Sequence, residues 1–369
     1  MTVMLGVPEV RAAHRAVPGA PAASGTASRP AVPGLLDTFG RTATDLRISL
    51  TDRCNLRCTY CMPAEGLPFQ PASTLMQRDE IVRLARLATE VLGVRQVRFT
   101  GGEPLLRKDL VEIIRDVAAL DARPEISLTT NAIGLSGRAA ALAEAGLDRV
   151  NVSLDTICPE TFAIITRRPF LERVLKGIDA LGAAGIQHTK INAVLLPGIN
   201  DTHGPDLLEW ALAGGHQLRF IEQMALDADH VWDREAMITA SQIRERLSER
   251  FELTPDSAPR DGAPAELYRV KRRGASAADP ELGTVGIIAS VTEAFCDDCR
   301  RTRLTAEGGV RSCLFSHTET DLLGPMRAGA DDDEIAGLWR QAMWAKPAGH
   351  EMNLAGFQQP ERPMSAIGG

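Results

Sequence analysis

The stretch Asp45-Leu46-Arg47-Ile48-Ser49-Leu50 runs directly into Thr51-Asp52-Arg53-Cys54-Asn55-Leu56-Arg57-Cys58-Thr59-Tyr60-Cys61, and the fold is read from that junction. The first part reads as a β-strand, and the second is a polar loop with three cysteines at C-x3-C-x2-C spacing. Working outward, strand-like runs return at Val94–Thr100, Glu125–Thr130, Arg149–Leu154, His188–Leu195 and His216–Ile221. Several are nearly continuous apolar or β-branched runs, the pattern of buried parallel strands. Helical periods lie between them: Ile81, Leu84, Ala85, Ala88 and Val91 mark one face, and Leu110, Ile113, Ile114 and Val117 another. Gly93, Gly146 and Gly185 fall where those helices should stop. Six such β–α repeats predict an α/β fold with a parallel sheet and right-handed crossovers, either doubly wound or curled into a partial barrel.

Beyond Asp227 the pattern changes, with one helix over Ala240–Glu249 and a Pro/Gly/Asp-rich stretch from Pro255 to Pro264. A boundary near 235 divides a core, 37–235, from a C-terminal region, 236–369. Residues 1–36, rich in Ala, Pro, Gly and Val, predict a disordered N-terminal extension. Arg11, Arg15 and Arg29 against the single acid Glu9 give a faint likeness to an organelle transit peptide, but no secretory apolar segment is present. With 369 residues and 44% hydrophobic content, the chain can bury one large domain and a smaller one. A net charge of −7 speaks against non-specific binding to nucleic acid or anionic membranes. No run of 18 apolar residues occurs, so no transmembrane helix is expected.

Six of the seven cysteines form two triplets. An odd count, no export signal and two-residue gaps point to metal ligation in a reducing cytoplasm rather than to disulfides. Cys54, Cys58 and Cys61 could hold three irons of a [4Fe–4S] cluster, leaving one iron open for an exogenous ligand. Zinc completed by His or Asp, or three unrelated thiols, are the plainer readings, and nothing nearby supplies a fourth zinc ligand. Cys296, Cys299 and Cys313 follow C-x2-C-x13-C spacing, and His317 is the nearest histidine. Spacing alone divides this second triplet evenly between a cluster and a Cys3His zinc site.

Polar motifs follow the strands: Gly101-Gly102-Glu103-Pro104, Thr129-Thr130-Asn131, Ser153 with Asp155, and Glu222-Gln223-Met224. Paired glycines allow close backbone approach to a ligand, and Glu103 could accept from an ammonium group. Any one of these motifs could be an ordinary helix N-cap. As a set, at the C-terminal ends of successive parallel strands, they mark an active-site face.

The first triplet, with Tyr60 before its last cysteine and GGEP after the second strand, resembles the signature of the radical S-adenosylmethionine (SAM) superfamily. With the second triplet, the Arg301-Thr302-Arg303-Leu304-Thr305 run and the terminal Gly368-Gly369, the chain from about Leu46 to Leu314 is similar to the GTP 3′,8-cyclases, the family that opens molybdenum-cofactor biosynthesis. The resemblance implies a partial (βα)6 TIM-like barrel with a C-terminal extension carrying a second iron–sulfur cluster, the open iron of which contacts guanine. It implies SAM contacts from Tyr60, Gly102, Ser153 and Met224. It implies GTP contacts from Arg47, Arg98, Thr129, Lys190, Arg301, Thr302 and Arg303, with Arg301 and Arg303 as the candidate catalytic residues. Arg suits bidentate phosphate contacts, although any one of these cations alone would more often be a surface ion pair.

The implied reaction is a lyase chemistry in which a 5′-deoxyadenosyl radical takes hydrogen from C3′ of GTP and the carbon radical attacks C8. A flavodoxin or ferredoxin as electron donor, cyclic pyranopterin monophosphate synthase downstream and a homodimer also belong to the family's range. Arg300 departs from the family's usual Asn, which leaves the hydrogen bonding of that loop open, and Cys158 matches no family ligand. Radical steps need no general base, in keeping with motif loops that hold no histidine. The family's C-terminal double glycine threads into the cavity, with Ile367 here as its neighbouring anchor. A peptide-modifying radical SAM enzyme would carry more C-terminal cysteines, and an iron–sulfur sensor or RNA-binding protein would not need GGEP.

Overall fold

Strand β1 (Asp45–Ser49) sets the pattern of the barrel: Leu46 and Ile48 are wholly buried on one face, and Asp45 and Arg47 are partly accessible on the other. The same alternation runs through β2 (Gln96–Thr100), β3 (Glu125–Thr130), β4 (Arg149–Ser153), β5 (Lys190–Val194) and β6 (Gln217–Ile221). This corrects the reading of near-continuous apolar strands. Each strand sends Leu, Ile, Val or Phe outward to the helices and Arg, Asn, Ser, Thr or Lys inward to the lumen. A lumen lined by polar groups is shaped for polar contents rather than for a packed core. A computed structural model describes residues 29–368 apart from 188, 277 and 355. His188, Gly369 and residues 1–28 of the expected N-terminal extension therefore lie outside the described residues.

The covering helices are α1 (Arg78–Arg86), α2 (Leu110–Ala118), α3 (Ala139–Glu144), α4 (Pro159–Thr166), α5 (Leu171–Ala183) and α6 (Gly204–Ala213). Ile81, Leu84, Ala85 and Ala88 are buried as their spacing predicts, but Val91 is 38% exposed. A π-turn over Leu87–Val91 closes α1 and rotates the face, so that Leu92 is buried in place of Val91. Gly93, Gly146 and Gly185 stop their helices with φ of 75°, 100° and 79°.

After α7 (Ala240–Ser248) come β7 (Phe251–Pro255), β8 (Glu266–Arg272), β9 (Gly283–Ile288), β10 (Arg301–Leu304), β11 (Gly309–Arg311) and β12 (Thr320–Asp321). The chain ends in α8 (Leu323–Arg327), α9 (Asp332–Trp344) and α10 (Met364–Ile367). The sheet order is β12-β11-β10-β1-β2-β3-β4-β5-β6-β9-β8-β7. β10 joins β1 in parallel and β9 joins β6 in parallel, so the C-terminal region extends the barrel sheet at both edges. Register places Arg301 beside Asp45 and Arg303 beside Arg47, on the same inward face. The N-terminal extension stops short of residue 36. Leu35 is wholly buried in the core and Leu36 bridges Thr42.

Candidate active site

The loop after β1 is built to hold its cysteines still. The Arg57 guanidinium donates to the Cys54 and Leu56 carbonyls at 2.8 Å. Arg167, which ends α4 at φ 54°, donates to the Arg57 and Met62 carbonyls at 2.9 Å. Gly101 and Gly102 press on the same loop. A Cβ on Gly101 would stand 2.7 Å from the Thr51 carbonyl, and one on Gly102 would overlap the Arg53 carbonyl. The paired glycines thus serve backbone approach to the cysteine loop itself.

Glu103 is buried and accepts from Thr130 Oγ1 (2.6 Å) and Leu105 N (2.9 Å) at Oε1, and from Asn131 N (2.7 Å) at Oε2. Oε2 keeps a lone pair for an incoming donor such as an ammonium, and burial pushes the carboxyl up to about 7. Tyr60 donates its hydroxyl to Asp155 at 2.9 Å, and burial raises Asp155 to about 6. Glu222 is held by Ala240 N, Val291 N, Thr292 N and Thr292 Oγ1, a structural role.

One cavity joins this loop to the second triplet, and both sets of three thiols line it. Tyr60, Gly102, Ser153, Met224, Thr129, Arg47, Arg98, Arg301 and Arg303 line it as well. Two expected residues do not. Thr302 is wholly buried and its Oγ1 accepts from Trp339 Nε1 at 3.0 Å, because alternation along β10 turns it outward between Arg301 and Arg303. Its side chain is therefore withdrawn from the cavity. Lys190 sits at the entry end of β5, off the cavity wall, and burial together with Arg219, Arg149 and Arg98 lowers its ammonium to about 8.

Arg219, which sequence reasoning missed, fills the lumen instead, donating to Asn192 at 2.9 Å and Asn151 at 3.0 Å. Burial and then Arg98 and Arg149 lower it to about 9. Strict inward alternation on β6 is the signal that could have found it. Five arginines, at 47, 98, 219, 301 and 303, thus line one cavity. Among the described residues the only ion pair any of them makes is Arg47 with Asp45, at 4.0 Å. Elsewhere arginines pair tightly, as Arg78 does with Asp116 at 2.6 Å. Guanidinium groups held near one another, two of them buried and three half-buried, repel one another and favour an anion among them.

The second triplet is held by cations from distant segments. Arg41 donates to the Cys296 carbonyl at 2.7 Å and to Ala348 at 2.6 Å, and pairs with Asp37 at 2.6 Å. Lys346 donates to the carbonyls of Cys299 (3.1 Å) and Arg301 (2.8 Å). Burial opposes ionisation of Cys299, but Arg301 and Lys346 pull it down to about 6. Burial pushes Cys54 up to about 11 and Cys61 to about 12. Among the described residues no three His, Cys, Asp or Glu side chains converge tightly enough for a single ion.

His317 is not on the cavity wall, whereas His350 is, so a histidine does reach the site from beyond the motif loops. Arg300 faces outward, bonded to Asp261 (2.7 Å) and Asp298 (3.0 Å), while its carbonyl accepts from Thr44 and Asp45. Cys158 caps α4 apart from both triplets, its thiol 3.2 Å from Glu160. Gly368, at φ 81°, accepts from Arg303 at 2.8 Å, and a Cβ there would overlap Thr100 Oγ1. Ile367 is buried beside it.

Comparison with known proteins places this geometry. Residues 48–211 match the radical SAM superfamily and residues 216–352 the Molybdenum Cofactor Synthesis C family. The chain is 57% identical over 353 residues to a GTP 3′,8-cyclase of Paenarthrobacter nicotinovorans, covering 93% of this chain and 99% of that one. It is 55% identical to the GTP 3′,8-cyclase of Mycobacterium marinum over the whole of both chains. Among solved structures, Streptococcus suis SuiB bound to S-adenosylmethionine superposes with a TM-score of 0.54 at 15% identity, covering 87% of this chain and 76% of that one, a likeness of fold. No helix among the described residues is long and apolar enough to cross a membrane.

Proposed function

The chain belongs to the radical SAM superfamily and, within it, to the GTP 3′,8-cyclases, and on that premise we propose that it cyclises GTP to (8S)-3′,8-cyclo-7,8-dihydroguanosine 5′-triphosphate, the opening step of molybdenum-cofactor biosynthesis. The observation that carries this reading is that five arginines line the same cavity as both cysteine triplets, with one ion pair to a carboxylate, at 4.0 Å, among the described residues. A triphosphate brings three or four negative charges in one compact group and relieves that repulsion.

Cys54, Cys58 and Cys61 would hold one [4Fe–4S] cluster, and Cys296, Cys299 and Cys313 a second. The chemistry supplied at the first is one-electron reduction of SAM, with electrons from a flavodoxin or ferredoxin. Around it, Tyr60, Gly102, Ser153 and Met224 shape the SAM site, and Oε2 of Glu103 offers its free lone pair to the methionine ammonium. Arg47, Arg98 and Arg219 bind the triphosphate, with Thr129 beside them and Lys190 adding charge from below. Arg301 and Arg303 orient GTP against the second triplet. With SAM bound beside the first triplet, GTP would lose hydrogen from C3′ to the 5′-carbon of SAM's adenosyl group, form the C3′–C8 bond, and take up one proton and a second electron from the same flavodoxin or ferredoxin to complete the product. Cyclic pyranopterin monophosphate synthase consumes it.

Anaerobic incubation with SAM, dithionite and GTP deuterated at C3′ tests the reading. Deuterium should appear in 5′-deoxyadenosine, and only when GTP is present. Unlabelled 5′-deoxyadenosine made equally without GTP contradicts it.

A further inference from the structure

Arg362 has no part in the chemistry derived so far, yet two acids and a second arginine meet at it. Its Nη1 donates to both carboxylate oxygens of Glu307, at 3.0 and 3.2 Å, and its Nε stands 2.8 Å from Oε1 of Glu319. The same Glu319 oxygen accepts from Arg311 at 2.6 Å, and Arg311 is 2% exposed. Glu307 lies in the turn between β10 and β11, and Arg311 stands opposite Arg303 across that hairpin. Arg362 is therefore fastened to the hairpin that carries Arg303 into the cavity.

The segment around Arg362 is stitched alternately to two parts of the barrel. Gln359 Nε2 and Met364 N donate to the carbonyls of Asp227 and Leu226, just beyond β6. Between and after them, Arg362 and the Gly368 carbonyl hold the hairpin instead, at Glu307 and Arg303. Five strands separate β10 from β6 in the sheet, so residues 359–368 form a strap between distant strands, with Met364 on the cavity wall. A single neutral hydrogen bond holds such a strap weakly. An arginine shared by two half-buried carboxylates, inside a network of four charges, holds it better than an isolated surface pair would.

We propose that Arg362 is a positioning residue for cyclisation. Its ion pairs with Glu307 and Glu319 fix the strap to the β10–β11 hairpin, so that the Gly368 carbonyl reaches Arg303 and keeps that guanidinium in place beside GTP. This rests on the reading that Arg303 orients GTP in the cavity.

The test is a charge swap in the full-length, anaerobically purified holoenzyme. Arg362→Glu sets three carboxylates against one another and should lower kcat for cyclisation about tenfold, with iron content and thermal midpoint at wild-type values. Glu307→Arg should act in the same direction. Arg362→Glu combined with Glu307→Arg restores opposite charges and should return kcat to within about twofold of wild type. Amide hydrogen exchange over residues 363–368 should quicken in the single variants and recover in the swap. An undiminished kcat in Arg362→Glu overturns the proposal, as does a swap no more active than either single variant. A lowered kcat with exchange over 363–368 unaltered overturns it too. A wild-type enzyme that makes no cyclised product would instead overturn the reading of function beneath it.

Discussion

Around Cys54, Cys58 and Cys61 the nearby charges are mainly carboxylates, with Asp155 acting on Cys58, Glu103 on Cys54, and Arg57 as the local cation. Around Cys299 they are Arg301 and Lys346, which together, with their hydrogen bonds, overcome the effect of burial. Cys58 and Cys299, one from each triplet, thus have neighbours of opposite charge within one cavity. Negative surroundings resist the addition of an electron and lower a cluster's potential, while positive surroundings raise it. A cluster held at the first triplet should accordingly have the lower potential, as the strong reductant that SAM cleavage demands requires, and one held at the second the higher.

The contrast breaks most completely at the ligands. Cys58→Ala should bring 5′-deoxyadenosine formation to background, while Cys299→Ala should keep SAM cleavage and lose the cyclised product. Each should lower iron from about eight to about four per chain, and equal effects of the two variants on SAM cleavage would erase the distinction. Next in size, Arg303→Ala should cut kcat for cyclisation by roughly 10²–10³, the usual cost of losing a fixed donor at a reacting centre. Because Arg303 also holds Gly368, Gly368→Ala should damage cyclisation far more than iron content. Steady-state product formation by mass spectrometry checks both.

Lys346→Met sharpens the comparison without touching a ligand. It removes the ammonium that binds the carbonyls of Cys299 and Arg301, and should weaken metal retention at the second triplet roughly 10–100-fold. Chelator competition read by visible absorption should show the first cluster unaffected. The smallest effect is one of pH. Burial lowers Lys190 to about 8, so its charge is present below that pH and lost above it. Accordingly kcat/KM for GTP should decline as pH rises through about 8, and Lys190→Arg should flatten that limb.

The strand positions and the two triplets were legible because apolar, β-branched runs and thiol spacing are local signals, whereas the cavity-facing arginines of β1, β2 and β10 were named from the family resemblance. Thr302 shows the limit of carrying a motif over whole: alternation itself turns the middle residue of Arg301-Thr302-Arg303 away from the cavity, toward Trp339. Arg41, Lys346 and His350 could not be read in advance. They reach the second triplet from segments far off in sequence, and nothing in their neighbours distinguishes them from surface charges or an ordinary histidine. Leu35 was hidden by composition, since an Ala/Pro/Gly-rich stretch masks the point at which the chain enters the core. The π-turn that exposes Val91 has no sequence signature in this helix.

With Asp155 beside Cys58 and Arg301 and Lys346 beside Cys299, a cluster at Cys54, Cys58 and Cys61 should have a lower midpoint potential than one at Cys296, Cys299 and Cys313. Redox titration of the anaerobic holoenzyme by electron paramagnetic resonance tests it most directly, with SAM and GTP added separately. Two signals with distinct midpoints should appear, the lower-potential one perturbed by SAM and the higher-potential one by GTP. A single signal, or SAM and GTP both acting on the same one, would contradict it.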